Sequence, residues 1–276
     1  MVSALGSRSP PRAHRLIDTH CHLDVARFDA DRGAVLARAW AAGLRGLLVP
    51  AIGPEAWEAL LALPGKDGRL QVALGIHPQL LPELPEAGDG AALERLDALL
   101  TVGGAVAVGE CGLDGPSAAG APMERQLRVL DAHARLARKH GLPLLVHCQR
   151  AHPALEEWLG RAQLPGAGVV LHSYSGGPAR VAGYVARGCH LSFAGPVSWP
   201  EARRPAEALR LTPRARLLVE TDAPDQAPSP HRGGRNEPAF LVQVVEAVAR
   251  ALGEPVEATG HLVTENARSL FPAFRA

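Results

Sequence analysis

Six side chains able to bind a cation or move a proton each sit at the end of a short apolar run. His20 and His22 close RLIDTHCHLD, Glu110 lies in GAVAVGECG, His147 in LPLLVHC, His172 in GVVLHSYSG and Asp222 in ARLLVETDAP. Taken singly, each histidine reads as a hydrogen-bonded core residue and each carboxylate as a loop charge or helix cap. Taken together, they follow apolar runs that would otherwise bury unpaired charge, and four imidazoles with two carboxylates make a nitrogen and oxygen donor set suited to divalent zinc, manganese, magnesium or nickel. Six donors exceed what one ion needs. In an extended strand residues i and i+2 share a face, so His20 and His22 point the same way while Cys21 turns away; Cys111 and Cys148 likewise turn away from Glu110 and His147, as small buried thiols.

The elements that must position these groups follow from the alternation of short β-rich runs with longer helical patterns. Strand-like runs fall at 15–23, 44–52, 70–78, 104–112, 142–148, 168–176, 189–197 and 215–224. Between them, segments such as DRGAVLARAWAAG and MERQLRVLDAHARLARKHG carry helical spacing and end in Gly. Eight βα units predict an α/β fold, a single (β/α)8 TIM barrel. An open doubly wound sheet fits the same alternation. The polar residues favour the barrel, because all six stand at the carboxyl ends of strands, where a barrel opens its mouth. The last segment, PVEATGHLVTENARSLF, reads as an extra C-terminal helix packing across the outside. Residues 1–14 read as a flexible lead without the apolar stretch of a signal peptide, leaving 15–276 as the barrel domain.

Bulk properties narrow the function. The 276 residues carry 29 Lys and Arg against 28 Asp and Glu, a formal charge of +1, which argues against an extended duplex-binding surface. No segment is apolar for long enough to span a bilayer, so no membrane role and a cytoplasmic location are expected. The four cysteines form no CxxC pair, and HSYSG around Ser173 is not the GxSxG of a serine hydrolase. The only lysines, Lys66 and Lys139, lie away from the strand ends, so a carbamylated lysine bridge has no candidate. No obligatory protein partner is evident.

The motifs DTHCHLD, GIHP, VGECGLD, LPLLVHC, LHSYSG, VETDAP and PHRGGRNEP, in this order from residue 15 to residue 238, resemble the TatD family of metal-dependent deoxyribonucleases, amidohydrolase-like TIM barrels. ETDAPD and HCQRAH are most similar to its YjjV-like branch. The resemblance implies two divalent metal ions: His20, His22 and Asp222 on one, His147 and His172 on the other, with Glu110 bridging. It further implies a phosphodiesterase acting on DNA ends or single strands through a metal-bridged hydroxide, with Asp222 and Glu110 catalytic and a DNA or nucleotide substrate bound in a small pocket. His77, Arg150, His231 and Arg232 are the candidate substrate contacts. Gly115, Pro116 and Ser117 stand where relatives carry aromatic residues, and Gln149, Arg150, Asp225 and Gln226 also depart from the common pattern. The metal site thus matches better than the substrate pocket. Two alternatives remain: a metal-dependent hydrolase of carbon esters or amides, including an aminoacyl-tRNA deacylase, and a non-catalytic metal-containing barrel.

Overall fold

The computed structural model describes residues 15–65 and 67–275; the expected lead at 1–14 and Lys66 lie outside the described residues. Each apolar run yields one strand: β1 (Leu16–Asp18), β2 (Leu44–Pro50), β3 (Leu70–Leu74), β4 (Ala105–Asp114), β5 (Leu144–Gln149), β6 (Val169–Leu171), β7 (Cys189–Phe193) and β8 (Leu217–Val219). They pair in parallel, in chain order from β1 to β8. Beyond the ends of β1 and β8 the seam is joined by Asp222 N–H to His20 O at 2.9 Å and His22 N–H to Ala223 O at 2.8 Å. Buried Asp18 adds to this seam, accepting from Thr221 N at 2.9 Å and from Thr221 Oγ1 at 2.5 Å. The result is the TIM-barrel fold expected from the alternation.

Helices α1 (Arg32–Ala41), α2 (Trp57–Ala62), α3 (Asp89–Val102), α4 (Met123–His140), α5 (His152–Arg161), α6 (Val181–Ala186), α7 (Arg203–Leu211) and α8 (Leu241–Leu252) fill the connections, and α9 (Val256–Leu270) follows. None is long and apolar enough to cross a membrane among the described residues.

Strand alternation divides the core in two. Leu16, Leu47, Val49, Val72, Leu144, Val146, Leu217 and Val219 belong to the larger cluster, which packs against the helices. Ile17, Leu48, Ala73, Ala107, Leu145, Val170 and Leu218, one each from seven strands, form a second cluster with Ala267, Leu270, Phe271 and Phe274. The C-terminal segment was expected across the outside. Its last turn and the residues after it instead close the floor of the barrel, because Leu270, Phe271 and Phe274 bury their side chains against these inward residues, each contributing roughly 1.5–3 kcal/mol.

That inward face also points to the site. Two residues above Leu145, Val170 and Leu218 come His147, His172 and Glu220, on the same face by the period of the strand. Ala107 breaks the rule: Glu110 lies three residues on. Strand β4 resolves the mismatch with a bulge, its register against β5 shifting between Val108 and Cys111. Gly109 in that bulge has φ 137°, and a Cβ there would come within 2.6 Å of Leu145 O, so glycine is what lets Glu110 turn inward.

Candidate metal centre

Glu110 lies at the middle of the mouth, fully buried, with its two oxygens facing different groups. Oε2 is 3.0 Å from His20 Nε2 and 3.4 Å from His22 Nε2. These nitrogens are 3.3 Å apart, and Asp222 Oδ1 lies 3.8 and 3.7 Å from them. Donors arranged around one zinc-sized ion at roughly 2.0–2.2 Å stand about 3–4 Å apart, and every one of these spacings falls in that range. Oε1 faces the other way, 2.7 Å from His172 Nε2, 3.0 Å from His147 Nδ1 and 2.9 Å from His77 Nε2.

Asp222 has φ 56°, and the Gln226 amide donates to its Oδ2, which leaves Oδ1 turned towards the histidines. Ser173 Oγ donates to Gln226 Oε1 at 2.8 Å and holds that amide. Behind the other group, Asp114 Oδ2 is 3.2 Å from His147 Nε2 and accepts from Gln79 Nε2 at 3.0 Å, while Ser117 donates twice to Oδ1. Glu220 Oε1 faces His172 Nδ1 at 3.3 Å and accepts from Ser173 N at 2.5 Å.

The electrostatics suit cation binding. Burial disfavours the Glu110 carboxylate, but the imidazoles of His172, His77 and His20 outweigh it and hold its pKa well below the usual carboxylate range. Burial pushes Asp222 up to about 6, against the pull of His172 and His20. Burial and the neighbouring His20 bring His22 down to about 3, so it is a neutral imidazole with a free lone pair. His172 goes the other way: burial works against its charge, but Glu110 and Glu220 raise it well above the usual value. A divalent cation fits this set on chemical grounds. Glu110 Oε2 and the Nδ1 atoms of His20 and His22 are buried without a hydrogen-bond partner, and three overlapping sets, His20–Glu110–His172, His20–His22–Asp222 and His77–Glu110–His147, each bring their donor atoms within 4.8 Å of one another.

Residues 17–272 match the family of TatD-related DNases. The chain belongs to the TatD family. It is 35% identical over 263 residues to the metal-dependent hydrolase YjjV of Escherichia coli K12, covering 93% of this chain and 98% of that one. The crystal structure of YjjV superimposes with a TM-score of 0.86 at 33% identity, over 95% of this chain and 99% of that one. The 3'-5' ssDNA/RNA exonuclease TatD of Salmonella typhimurium is 32% identical over 268 residues, 93% of this chain and 98% of that one. This chain is thus a TatD-family member of a metal-dependent hydrolase type.

Against this TatD frame the six residues expected to bind metal all converge on the mouth. His77, expected to touch substrate, lines the cavity and lies against Glu110, and Gln79 N–H donates to its Nδ1 at 3.1 Å. Arg150 is exposed after β5. Arg232 pairs with Glu201 and lies over the Trp199 ring, and His231 stacks on Phe240 at 3.7 Å. None of these last three lines the cavity of about 520 Å³ above the centre, although Trp199 does. A second hollow of about 330 Å³, bordered by Arg27 and Leu80, shares His22, His77 and Gln79 with it. Asp114, Glu220, Gln79 and Trp199 escaped the sequence reading. For Glu220 the signal was present, since it stands two residues before Asp222 on the inward face; for Asp114, the residue closing VGECGLD, it was a carboxylate carried inside a matching motif.

Proposed function

We propose that this chain is a metal-dependent phosphodiesterase that removes nucleotides from DNA ends or short single strands, holding two divalent ions that share Glu110. The observation that carries the reading is the Glu110 carboxylate, each of whose oxygens faces its own set of imidazoles. His20, His22 and Asp222 would hold one ion, His147 and His172 the other. Such ions supply Lewis-acid neutralisation of phosphate charge and acidify water at neutral pH. Asp222, with Oδ2 bonded by Gln226, would orient the attacking water and take its proton. Neutral His77 carries its proton on Nε2, because Nδ1 accepts from Gln79 N–H, and donates towards Glu110 or a phosphate oxygen beside it. A cavity of about 520 Å³ suits a terminal nucleotide better than a duplex, and the Salmonella relative named as a single-strand exonuclease supports the substrate class.

The test is cleavage of a labelled single strand with added manganese or magnesium. Glu110→Ala and Asp222→Asn are each expected to lower it on the order of a thousandfold, several kcal/mol of transition-state stabilisation. Activity that survives both substitutions sinks the reading. A second reading, hydrolysis of carbon esters or amides, is favoured by one observation: among the described residues, no lysine or arginine lines the larger cavity. A panel of carboxylic esters beside bis(4-nitrophenyl) phosphate separates the two, and preference for the carbon esters would replace the phosphodiesterase.

A further inference from the structure

The loop after β7 carries Trp199, the one indole or phenyl ring among the described residues on the wall of the larger cavity. We propose that Trp199 is the stacking wall for a nucleobase of the substrate, and so a specificity-determining residue of this site. The inference rests on the nucleic-acid reading above and adds what that reading lacks, a way of gripping a base.

The ring is fixed before any ligand arrives. Its Nε1–H donates to Ala227 O at 3.0 Å, so its hydrogen-bonding capacity is spent inside the protein. The Arg232 guanidinium lies 4.4 Å from the ring centroid and is itself paired with Glu201, a cation stacked on the indole that holds it from outside the cavity lining. The loop beneath is equally set. Its 3-10 turn, Gly195–Ser198, packs on the backbone after Asp222: a Cβ at Gly195 would meet Gln226 O at 1.8 Å and Pro228 N at 2.8 Å. Ser198 Oγ donates to Gly195 O at 2.6 Å and accepts from Ser229 N at 2.9 Å, tying the turn to the same segment. A rigid ring needs little ordering on binding, which is how a stacking wall gains affinity.

The occupant follows from what the wall lacks. With its N–H spent, Trp199 cannot read base edges, so it accepts any base by its face, the sequence-tolerant contact typical of single-strand binding. The ring also compensates for a gap elsewhere. The loop after β4 places Gly115, Pro116 and Ser117 beside the site and offers no aromatic face. Gln226 and Asp222 line the same cavity, so a base on Trp199 lies in the chamber that holds the proposed reacting atoms.

The experiment compares wild type, Trp199→Phe and Trp199→Ala, each loaded with manganese, on a single-stranded oligonucleotide and on the same strand with tetrahydrofuran abasic residues at its two terminal positions. Wild type is expected to favour the intact end in kcat/KM on the order of tenfold or more, mainly through KM. Trp199→Ala should lose that preference, with kcat/KM falling further on the intact end than on the abasic one, and Trp199→Phe should keep most of it. An unchanged preference in Trp199→Ala, or an equal loss on both ends, overturns the proposal. A second readout needs no turnover: dAMP should quench the intrinsic fluorescence of the wild type, and Trp199→Phe should remove that quenching. Quenching that persists in Trp199→Phe also overturns it. Failure of the wider reading looks different, since wild type would then cleave neither strand.

Discussion

On one side of Glu110, His147 and His172 each have a carboxylate behind the ring, Asp114 at 3.2 Å and Glu220 at 3.3 Å. On the other side, among the described residues, the Nδ1 atoms of His20 and His22 have no hydrogen-bond partner; His172 Nδ1 also lacks a hydrogen bond but does face a carboxylate. These two residues are placed by the main chain instead, through the bonds that join His20 to Asp222 and His22 to Ala223 across the barrel seam. In one group carboxylates stand behind both imidazoles, hydrogen-bonded at His147; in the other the two histidines are set by the path of the backbone, with Gln226 holding Asp222. The contrast teaches that closing the barrel and building the site are one event on the seam side and two separate ones on the far side.

Metal loading tests this first, and with the largest expected effect. With free metal at a hundred times the dissociation constant, each filled site should stabilise the fold by about 2.7 kcal/mol, seen as a rise in Tm that a chelator reverses. Glu110→Gln should lose most of the rise, because that carboxylate serves both groups. A graded chelator should strip the seam-side ion before the carboxylate-braced one, followed by metal analysis in His20→Ala and His147→Ala variants. Simultaneous release from both sides, or release in the opposite order, breaks the comparison.

The bracing carboxylates sharpen it further. Asp114→Asn and Glu220→Gln keep the shape of each side chain but weaken its hold on the imidazole, and should lower metal affinity at the far group about 10- to 100-fold. Titration calorimetry should show the loss in one of two binding events. The seam-side event should keep its wild-type affinity; loss from both events would mean that the two groups are not built independently.

How much of this was legible depends on the kind of signal. His147 and His172 announce themselves because a strand repeats every second residue, so a polar side chain two positions beyond an inward Leu145 or Val170 must enter the mouth. The strand count and order were legible for the same reason. Glu110 was legible as the charge closing the fourth apolar run, but its geometry was not, since the bulge at Gly109 shifts it off the period and only the pairing of β4 with β5 reveals that shift. Trp199 and Asp114 were hidden differently: each lies in or beside a loop, where no periodicity says which side chain turns towards the centre. The floor was misjudged because helical spacing shows that α9 is amphipathic without showing which end of a barrel its apolar side covers. Phe271 and Phe274, just past its last residue, settle that only when the inward residues of seven strands are known.

The smallest effect tests the scaffold beneath the far group. His133 on α4 accepts from Ile76 N at 3.0 Å through Nε2 and donates from Nδ1 to Val129 O at 2.8 Å, so the segment that ends in His77 hangs on a neutral imidazole. Burial lowers its pKa from 6.5 to about 4. Because the folded form disfavours the proton, its contribution is fully present above pH 6.5 and is lost as pH falls towards 4. Between pH 7.5 and 5.5 the loss should be about 1 kcal/mol in urea unfolding, with stability falling as acid is added. His133→Gln, which can still donate and accept but does not titrate in this range, should flatten that slope. An identical slope in the variant would assign the acid sensitivity to other buried histidines, those at the mouth or His152 and His190, instead. Repeating the titration with metal bound removes the mouth imidazoles from the slope, leaving His133 with His152 and His190, which burial also lowers to about 4.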